Sequence, residues 1–331
     1  MITSAHYDFQ NTAAADHTWV ETLQLPVVSP EAHLYALCYV NVRPTVGVMW
    51  NQVMVCGTLT ESRSDLLHYN ENHFLPAPAS LRTIGSELGL DIVATDAPRD
   101  FRIDYAHEDG TEIHVDWKGV MEPFDIHDPN HSPQAGSSED LHADALGSSG
   151  HVDMTGRVTG TMKVRGRTFE VDSLDRMDRS WGPRHPMKTK NMFIVSIAFE
   201  PDLAFHMMCP WNPDVAGSDA FRLTHGYVYD GGEVYGLTNI AHIEAGHHGM
   251  LCTSLDMVVN DVRGKQYELH ATPHIGAPWI AAPSAMTHSA LMRWSCDGRP
   301  GYGRVLKNYS LPYLNATRGR FYDDPTAAVY V

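Results

Sequence analysis

The sequence has few of the features by which the largest functional classes are recognised. Its five cysteines are scattered over 331 residues and never form a CxxC pair, so neither a disulfide framework nor a zinc–thiolate cluster is predicted. Walker A, GxGxxG, HExxH and GxSxG motifs are also missing from the sequence. The usual signatures of nucleotide binding, zinc proteolysis and serine hydrolysis are therefore lacking.

Basic residues and long apolar runs are scarce as well. The 24 Lys and Arg residues face 40 Asp and Glu residues, a formal charge of −16, which argues against DNA or RNA as partners. No segment has the roughly 20 consecutive apolar residues that span a bilayer, and the N-terminal stretch does not read as a secretion signal. We expect a cytoplasmic protein with no membrane span and no nucleic-acid partner, and a homodimer is the candidate assembly.

What the sequence does contain is a series of alternating apolar and polar runs joined by turn residues. Such runs predict β-hairpins, and helical periodicity is limited to one short predicted helix over residues 80–90. The pattern predicts an all-β sandwich or barrel architecture. The predicted turns lie at Asp109–Gly110, Arg165–Gly166, Pro201–Asp202, Gly231–Gly232, near Gly264, and around Gly298 to Gly301.

The length of the chain predicts about two domains. A Pro-rich run follows Trp181, and we place the domain boundary there, which gives domains 1–187 and 188–331. Residues 127–150 are rich in Ser, Gly, Asp and His, and they are predicted to form a polar surface loop in the N-terminal domain.

Histidine is abundant, with 20 residues. The pattern His-x-Asp occurs at His114–Asp116 and at His151–Asp153, each on a predicted strand, so both side chains of a pair share one face. Either pair could supply two ligands of a facial iron triad, with a third from His206, His225 or His242. Apolar residues alternate with His114, so its side chain is expected to face solvent or a polar cavity.

The stretch DRMDRSWGPRHP, residues 175–186, concentrates charge around one large aromatic residue. One interpretation is structural, because paired arginines and aspartates can latch two β-units together. The other is functional: Asp178 would line an apolar cavity that raises its pKa, so that it could protonate a substrate. Trp181 could then stabilise developing positive charge through its π face.

With the hairpin before it, this stretch resembles the lipocalin-like carotenoid 1,2-hydratase (hydroxyneurosporene synthase) superfamily, which includes AttH-like proteins and fungal Diels–Alderases. The resemblance rests on residues 151–184: a histidine that opens the strand, TGRVTG, a G-x-x-F hairpin and D-R-S-W-G-x-R. It implies two lipocalin-like β-barrel domains packed together around an apolar pocket. It also implies that Asp178 and Trp181 line that pocket, with His151 as a weaker match.

We therefore expect a cofactor-independent enzyme that is a hydratase or dehydratase, both of which are lyases, or an isomerase. It would act by acid–base chemistry on an apolar terpenoid, steroid or aromatic compound. A carrier of hydrophobic ligands, a pericyclic cyclase and an iron oxygenase remain alternatives, and no metal ligands are assigned. The candidate catalytic residues are Asp178, His151 and His185. The candidate substrate-binding residues are Trp181, Arg179, Arg184, Asp175, Trp117 and His114.

Overall fold

The computed structural model describes residues 2–10, 16–85, 87–135, 149–184, 190–282 and 285–316. Its strands fall into two antiparallel sheets that divide the chain into a first and a second β-unit. The first unit contains β1 (Trp19–Ser29), β2 (Leu34–Arg43), β3 (Val48–Cys56), β4 (His68–Pro76), β5 (Thr83–Ile84), β6 (Leu90–Asp96), β7 (Asp100–Ala106), β8 (Glu112–Gly119), β9 (Phe124–Asp125), β10 (Gly150–Val164) and β11 (Arg167–Pro183).

These strands form one sheet in the order β4-β3-β2-β1-β11-β10-β8-β7-β6-β5, and β9 pairs with β10. The sheet curls into a half-barrel around an apolar core. The curl brings β4, at one edge of the sheet, close to β7 near the other edge. Side chains make this contact: His68 Nε2 on β4 lies 2.7 Å from the Tyr105 hydroxyl on β7. The curl therefore encloses the core without backbone pairing between β4 and β7.

The second unit is a closed eight-stranded barrel in which neighbouring strands pair in sequence order and β12 also pairs with β19. Alternate residues of each strand point into the barrel, as the period of two requires, and they build a second apolar core. The strands are β12 (Met192–Phe199), β13 (Leu203–Pro210), β14 (His225–Asp230), β15 (Glu233–His248), β16 (Leu251–Asp261), β17 (Gln266–Ala282), β18 (Ala285–Cys296) and β19 (Arg299–Ser310).

Helical structure is minor in the described part of the chain. Residues 311–316 are helical, and short 3₁₀ turns lie at Ser4–Tyr7, Pro30–Ala32, Arg63–Asp65 and Gly217–Ala220. None of the described helices is long and apolar enough to cross a membrane.

A third apolar cluster joins the two units. It combines residues of β2 and β3 with residues of β12, β17 and β19, and polar contacts flank it: the Tyr35 hydroxyl lies 2.8 Å from Ser289 Oγ, and Trp279 Nε1 donates to Gln52 Oε1 at 2.6 Å. The units thus meet along a packed interface in which these four polar side chains are paired, as burial favours.

The structure confirms the all-β class and the lipocalin-like architecture, with one closed barrel and one curled half-barrel sheet. The hairpin turns at Gly110, Gly166, Gly231 and Gly264 are also confirmed. The predicted helix over 80–90 is wrong, since this segment contributes β5 and the start of β6. The boundary at residue 187 lies outside the described residues, between the end of β11 and the start of β12, and stays a prediction.

One lysine lies inside the closed barrel. Lys307 is 1% exposed and sits opposite the core residue Phe193 in the strand register. Its Nζ donates to His247 Nδ1 at 3.0 Å, and burial lowers the pKa of its amine to about 8. The unfolded chain, with an ordinary lysine pKa of about 10.4, binds more protons between pH 8 and 10.4. Stability contributed by this group therefore rises with pH in that window.

We predict that Lys307→Met raises the free energy of unfolding at pH 7 and reduces its increase between pH 8 and 10. In the wild type, this lysine raises the free energy of unfolding by at most about 1.4 kcal/mol per pH unit. Denaturant unfolding at pH 7, 8, 9 and 10 measures this pH dependence, with Lys118→Met, at an exposed lysine, as the matched control. Equal pH slopes for wild type and Lys307→Met would contradict the assignment.

Candidate active site

A cluster of charged side chains lies between the two β-units. His151 and Asp153 project from one face of β10, and Arg176 and Asp178 project from one face of β11, as alternation along a strand dictates. Asp153 and Asp178 are direct partners in the β10–β11 register. Two carboxylates placed opposite each other repel, so this arrangement requires cations nearby.

Arg176 and His151 supply the nearest compensation on the first unit. Arg176 Nη1 contacts both carboxylates, Oδ1 of Asp153 and, at 3.2 Å, Oδ2 of Asp178. His151 Nε2 also lies between them, 3.3 Å from Asp153 Oδ1 and 3.1 Å from Asp178 Oδ2. The guanidinium and the imidazole therefore bridge the two carboxylates.

The barrel adds side chains from the opposite side. His206 Nε2 on β13 lies 3.1 Å from Asp153 Oδ2, and His225 Nε2 on β14 lies 3.2 Å from the same oxygen. Ser196 Oγ on β12 accepts from Arg176 Nε at 2.8 Å. Asp153 is thus surrounded by three imidazoles and one guanidinium contributed by both units.

Burial and charge set the protonation of this cluster. Burial raises the pKa of the Asp178 carboxyl, but His151 and Arg176 lower it by more, so the net pKa lies well below its ordinary value. The expectation that Asp178 is a neutral acid is therefore wrong, because cations rather than apolar groups are its nearest neighbours. Burial lowers the pKa of His206 to about 4, whereas the carboxylates Asp153 and Asp178 outweigh burial and raise the pKa of His151 to about 10.

Arg176 separates two spaces in the interface. On one side lies a cavity of about 260 Å³, and on the other a narrow crevice of about 40 Å³ beside His151 and Asp178. The Asp178 side chain is 13% exposed, whereas the side chains of His151, Asp153 and Arg176 are each at most 2% exposed. The larger cavity is lined by apolar groups that include Val28, Ile197, Phe205, Leu291 and Tyr302. Its polar lining residues are Glu31, Thr155, Asp172, Ser173, Asp175, Arg176, Ser196 and Glu200.

The predicted substrate residues Asp175 and Arg184 lie at these two spaces. Asp175 lines the larger cavity and is held by Arg304 Nε at 2.9 and 3.1 Å from its two oxygens. Arg184 lines the crevice with Asp178 and donates to Ser180 Oγ at 2.7 Å. Arg304 also donates to the Arg176 carbonyl at 2.8 Å, so the barrel strand β19 fixes the backbone of β11 beside the cluster.

Trp181 and Arg179 lie away from Asp178, contrary to expectation. Residues one or three apart on a strand point to opposite faces, so neither side chain lines the crevice or the larger cavity. Arg179 is buried against Glu21 and lies 4.8 Å from the Trp181 ring. Trp181 packs over Gly150, where a Cβ would fall 2.0 Å from the ring. These residues lie on the face of β11 that carries Met177 of the first unit's core, opposite the face that meets the barrel.

The other candidate residues lie elsewhere. Trp117 is fully buried in the core of the first unit. His114 is half-exposed and lies 2.8 Å from Asp104 on the neighbouring strand, so the His114–Asp116 pair faces solvent and builds no metal site. His185 lies outside the described residues.

Several members of the cluster were not assigned roles from the sequence. Arg176 stands two residues before Asp178, so strand alternation would have placed both on one face. Two of the candidate third ligands, His206 and His225, do converge on Asp153, whereas His242 is exposed on β15. Ser196 and Arg304 carried no sequence signal, because their positions depend on how the barrel docks.

Two groups of described residues have the composition of a metal site. The ligand atoms of His151, Asp153 and His225 lie within 4.8 Å of one another, and so do those of His68, His107 and Asp109. The first group is buried in the interface, and the second lies at the β7–β8 turn of the first unit.

A half-barrel sheet docked on a closed barrel, with charge buried between them, defines a two-unit lipocalin-like protein. The chain belongs to a family described as a domain of unknown function, DUF7064, whose profile matches residues 4–308. No functionally curated protein matches the sequence.

Solved structures share the fold. Kievitone hydratase from Nectria haematococca superposes with a TM-score of 0.54 at 9% identity, covering 94% of this chain and 93% of that chain. CghA with Sch210972 superposes with a TM-score of 0.55 at 9% identity, covering 88% of each chain. At this identity the likeness establishes the fold and leaves the reaction open. The neighbours fit the lipocalin-like hydratase resemblance, and the carotenoid hydratase itself is not confirmed.

The Asp175–Arg304 pair generates a stability prediction. Both side chains are at most 5% exposed, and removal of one partner of a buried pair typically costs about 3–5 kcal/mol because a charge is left uncompensated. We expect Arg304→Met to lose about that much, and Asp175→Asn with Arg304→Met to recover a large part of the loss.

A double-mutant cycle by denaturant unfolding measures this coupling. The half-exposed Arg157–Asp172 pair, at 2.6 Å, is the matched control, for which less than about 1 kcal/mol is expected. A coupling for Asp175–Arg304 no larger than that of the control would show that the buried pair does not tie the units together.

Proposed function

We propose that the protein is an enzyme, a lyase or isomerase, that acts on a compact apolar small molecule in the cavity between its two β-units. The observation that carries this proposal is the position of Arg176. Arg176 lines the cavity, and its guanidinium contacts the Asp153 and Asp178 carboxylates. A cavity with a largely apolar wall and fixed polar groups is the usual form of a small-molecule site.

The size of the cavity limits the substrate. A cavity of about 150 Å³ holds benzene, and pockets for drug-sized ligands span about 300–1,000 Å³. A volume of about 260 Å³ therefore suits a molecule of one or two rings. A long polyene does not fit this space, which favours a small terpenoid or aromatic substrate.

The polar groups of the cluster have distinct roles in this proposal. Within the described residues, Arg176 Nη2 makes one long contact, 3.5 Å to Gln24 Oε1, so it retains donor capacity for a substrate oxygen. The Asp178 carboxylate lines the crevice on the other side of Arg176, so it acts on a substrate in the cavity through the guanidinium that it orients. Among the carboxylates that line the cavity itself, Asp175 can orient a water molecule or a substrate hydroxyl group. Addition or removal of water, or relocation of a proton, requires both a donor and a carboxylate.

The structural neighbours support this reaction class. One of them is named a hydratase, and a hydration or dehydration needs no net oxidation of the substrate. Retention of the ligand without conversion would favour the carrier alternative, because lipocalin-like barrels enclose ligands whether or not a reaction follows.

We predict that Asp178→Asn abolishes conversion and leaves a folded protein that still retains ligand. The test incubates purified protein with a lipophilic extract and identifies retained and transformed compounds by mass spectrometry. Products should be isomers of the substrate or differ from it by one water. Asp116→Asn, an exposed carboxylate on β8, is the control and should convert normally. Equal conversion by both variants would remove Asp178 from the mechanism.

We also predict that Leu291→Phe weakens ligand retention by at least about tenfold, because the larger ring fills the cavity that Leu291 lines. Overpacking itself typically costs about 1–3 kcal/mol of stability, so the control must carry a similar cost. Leu37→Phe, in the same interface core but away from the cavity, serves this purpose. If both variants retain the ligand equally, the ligand binds elsewhere.

A further inference from the structure

We propose that Asp153, together with the imidazoles of His151, His206 and His225, binds a divalent transition-metal ion. The ligand atoms of His151, Asp153 and His225 lie within 4.8 Å of one another. His206 is not one of that group of three, but its Nε2 contacts Asp153 Oδ2 at 3.1 Å. This inference uses the same cluster as the proposed function but does not depend on the proposed reaction. It revises the sequence-based expectation of no cofactor and no metal.

The first argument is a pair of buried atoms that face each other. His206 Nδ1 lies 3.1 Å from the Val195 carbonyl oxygen, which can only accept, so this ring nitrogen donates to it. His206 Nε2 faces Asp153 Oδ2 at 3.1 Å, and neither atom has a hydrogen-bond partner within the described part of the chain. A cation held by both atoms would satisfy them.

The second argument is distance. His206 Nε2 and His225 Nε2 lie 3.1 and 3.2 Å from Asp153 Oδ2, whereas His151 Nε2 lies 3.3 Å from the other oxygen, Oδ1. Tetrahedral ligands at about 2.0–2.1 Å from zinc lie about 3.3 Å apart, whereas charge-assisted hydrogen bonds are shorter. Hydrogen-bonded imidazole–carboxylate pairs elsewhere in the described residues measure 2.6–2.9 Å: His68–Asp109, His73–Glu71, His114–Asp104 and His270–Asp256.

The third argument is charge. Asp153 and Asp178 carry two negative charges, and Arg176 supplies one positive charge within contact distance of both. All three side chains are at most 13% exposed. An uncompensated buried charge is costly, so further positive charge must lie close to the two carboxylates. A proton on His151 adds one unit of charge and a divalent ion bound to Asp153 adds two, and metal analysis distinguishes these two sources.

The donor set indicates the class of metal. Three imidazoles and one carboxylate, with no thiolate, suit Zn²⁺, Fe²⁺ or Co²⁺ and do not suit Ca²⁺ or Mg²⁺, which prefer oxygen ligands. The surroundings also match a metal centre. The Val195 carbonyl orients His206, and Arg176 binds the other oxygen of Asp153, as outer partners of metal ligands do.

The second histidine cluster does not carry the same argument. His68 Nδ1 lies 2.7 Å from Asp109 Oδ2, and His68 Nε2 lies 2.7 Å from the Tyr105 hydroxyl. Both ring nitrogens are therefore satisfied at hydrogen-bond distance, and nothing at this turn requires a further cation.

Metal analysis of the purified full chain tests the proposal. The protein is stripped with a chelator, reloaded separately with Zn²⁺, Fe²⁺ and Co²⁺, and assayed by elemental analysis. We expect about one equivalent of at least one metal, a visible Co²⁺ spectrum typical of few-coordinate nitrogen and oxygen ligation, and a higher melting temperature on loading. Asp153→Asn and His206→Gln should each lower the bound metal at least tenfold.

Two control variants separate ligation from charge and folding. Asp178→Asn removes a neighbouring carboxylate that is not a ligand, and His270→Gln removes an exposed histidine paired with Asp256. Both should keep the metal. If a ligand variant does not fold, the Co²⁺ spectrum and the metal-dependent melting temperature of the wild type decide the question alone.

The proposal is overturned if the folded wild type holds less than about a tenth of an equivalent of each metal after reloading. It is also overturned if Asp153→Asn binds metal as the wild type does. The same samples, incubated with lipophilic extract, separate the two proposals. Metal binding without conversion removes only the proposed reaction, and full conversion by the metal-free protein shows that the metal has no part in it.

Discussion

The structure depends on the burial of two carboxylates that lie directly opposite each other. Asp153 and Asp178 are register partners on β10 and β11, and their repulsion in a site of low polarity must be offset by cations and hydrogen-bond donors. Among the described residues, the first unit supplies Arg176 and His151. The remaining contacts to Asp153 come from His206 and His225 of the barrel. The stability of the charged cluster therefore depends on the docking of the two units.

This coupling explains why we place the proposed functional centre at the interface rather than inside the closed barrel. The barrel interior is filled by its own apolar core, whereas the interface leaves a cavity that Arg176 lines. Arg304 reaches from β19 to Asp175 and to the Arg176 carbonyl, which fixes the strand that carries Arg176 and Asp178. The groups that position the cluster therefore also hold the two units together.

The local sequence pattern was sufficient to predict the fold class and part of the candidate site. Gly-containing turns between alternating runs predicted the hairpins, and His-x-Asp predicted that His151 and Asp153 share a face. The same alternation places Trp181 and Arg179 opposite to Asp178, a step that simple counting along β11 would have supplied. The approach of His206 and His225 to Asp153 could not be predicted, because it depends on the register and docking of a separate barrel. The protonation of Asp178 follows from those same neighbours.

The most direct test of the account is a crystal structure of the protein with the small molecule that it retains from a lipophilic extract. The account predicts ligand density in the cavity beside Leu291 and Tyr302, with a ligand oxygen within hydrogen-bond distance of Arg176 or Ser196. Density inside the closed barrel, or beside Trp181 on the opposite face of β11, would contradict the claim that the buried charge between the two units is the functional centre.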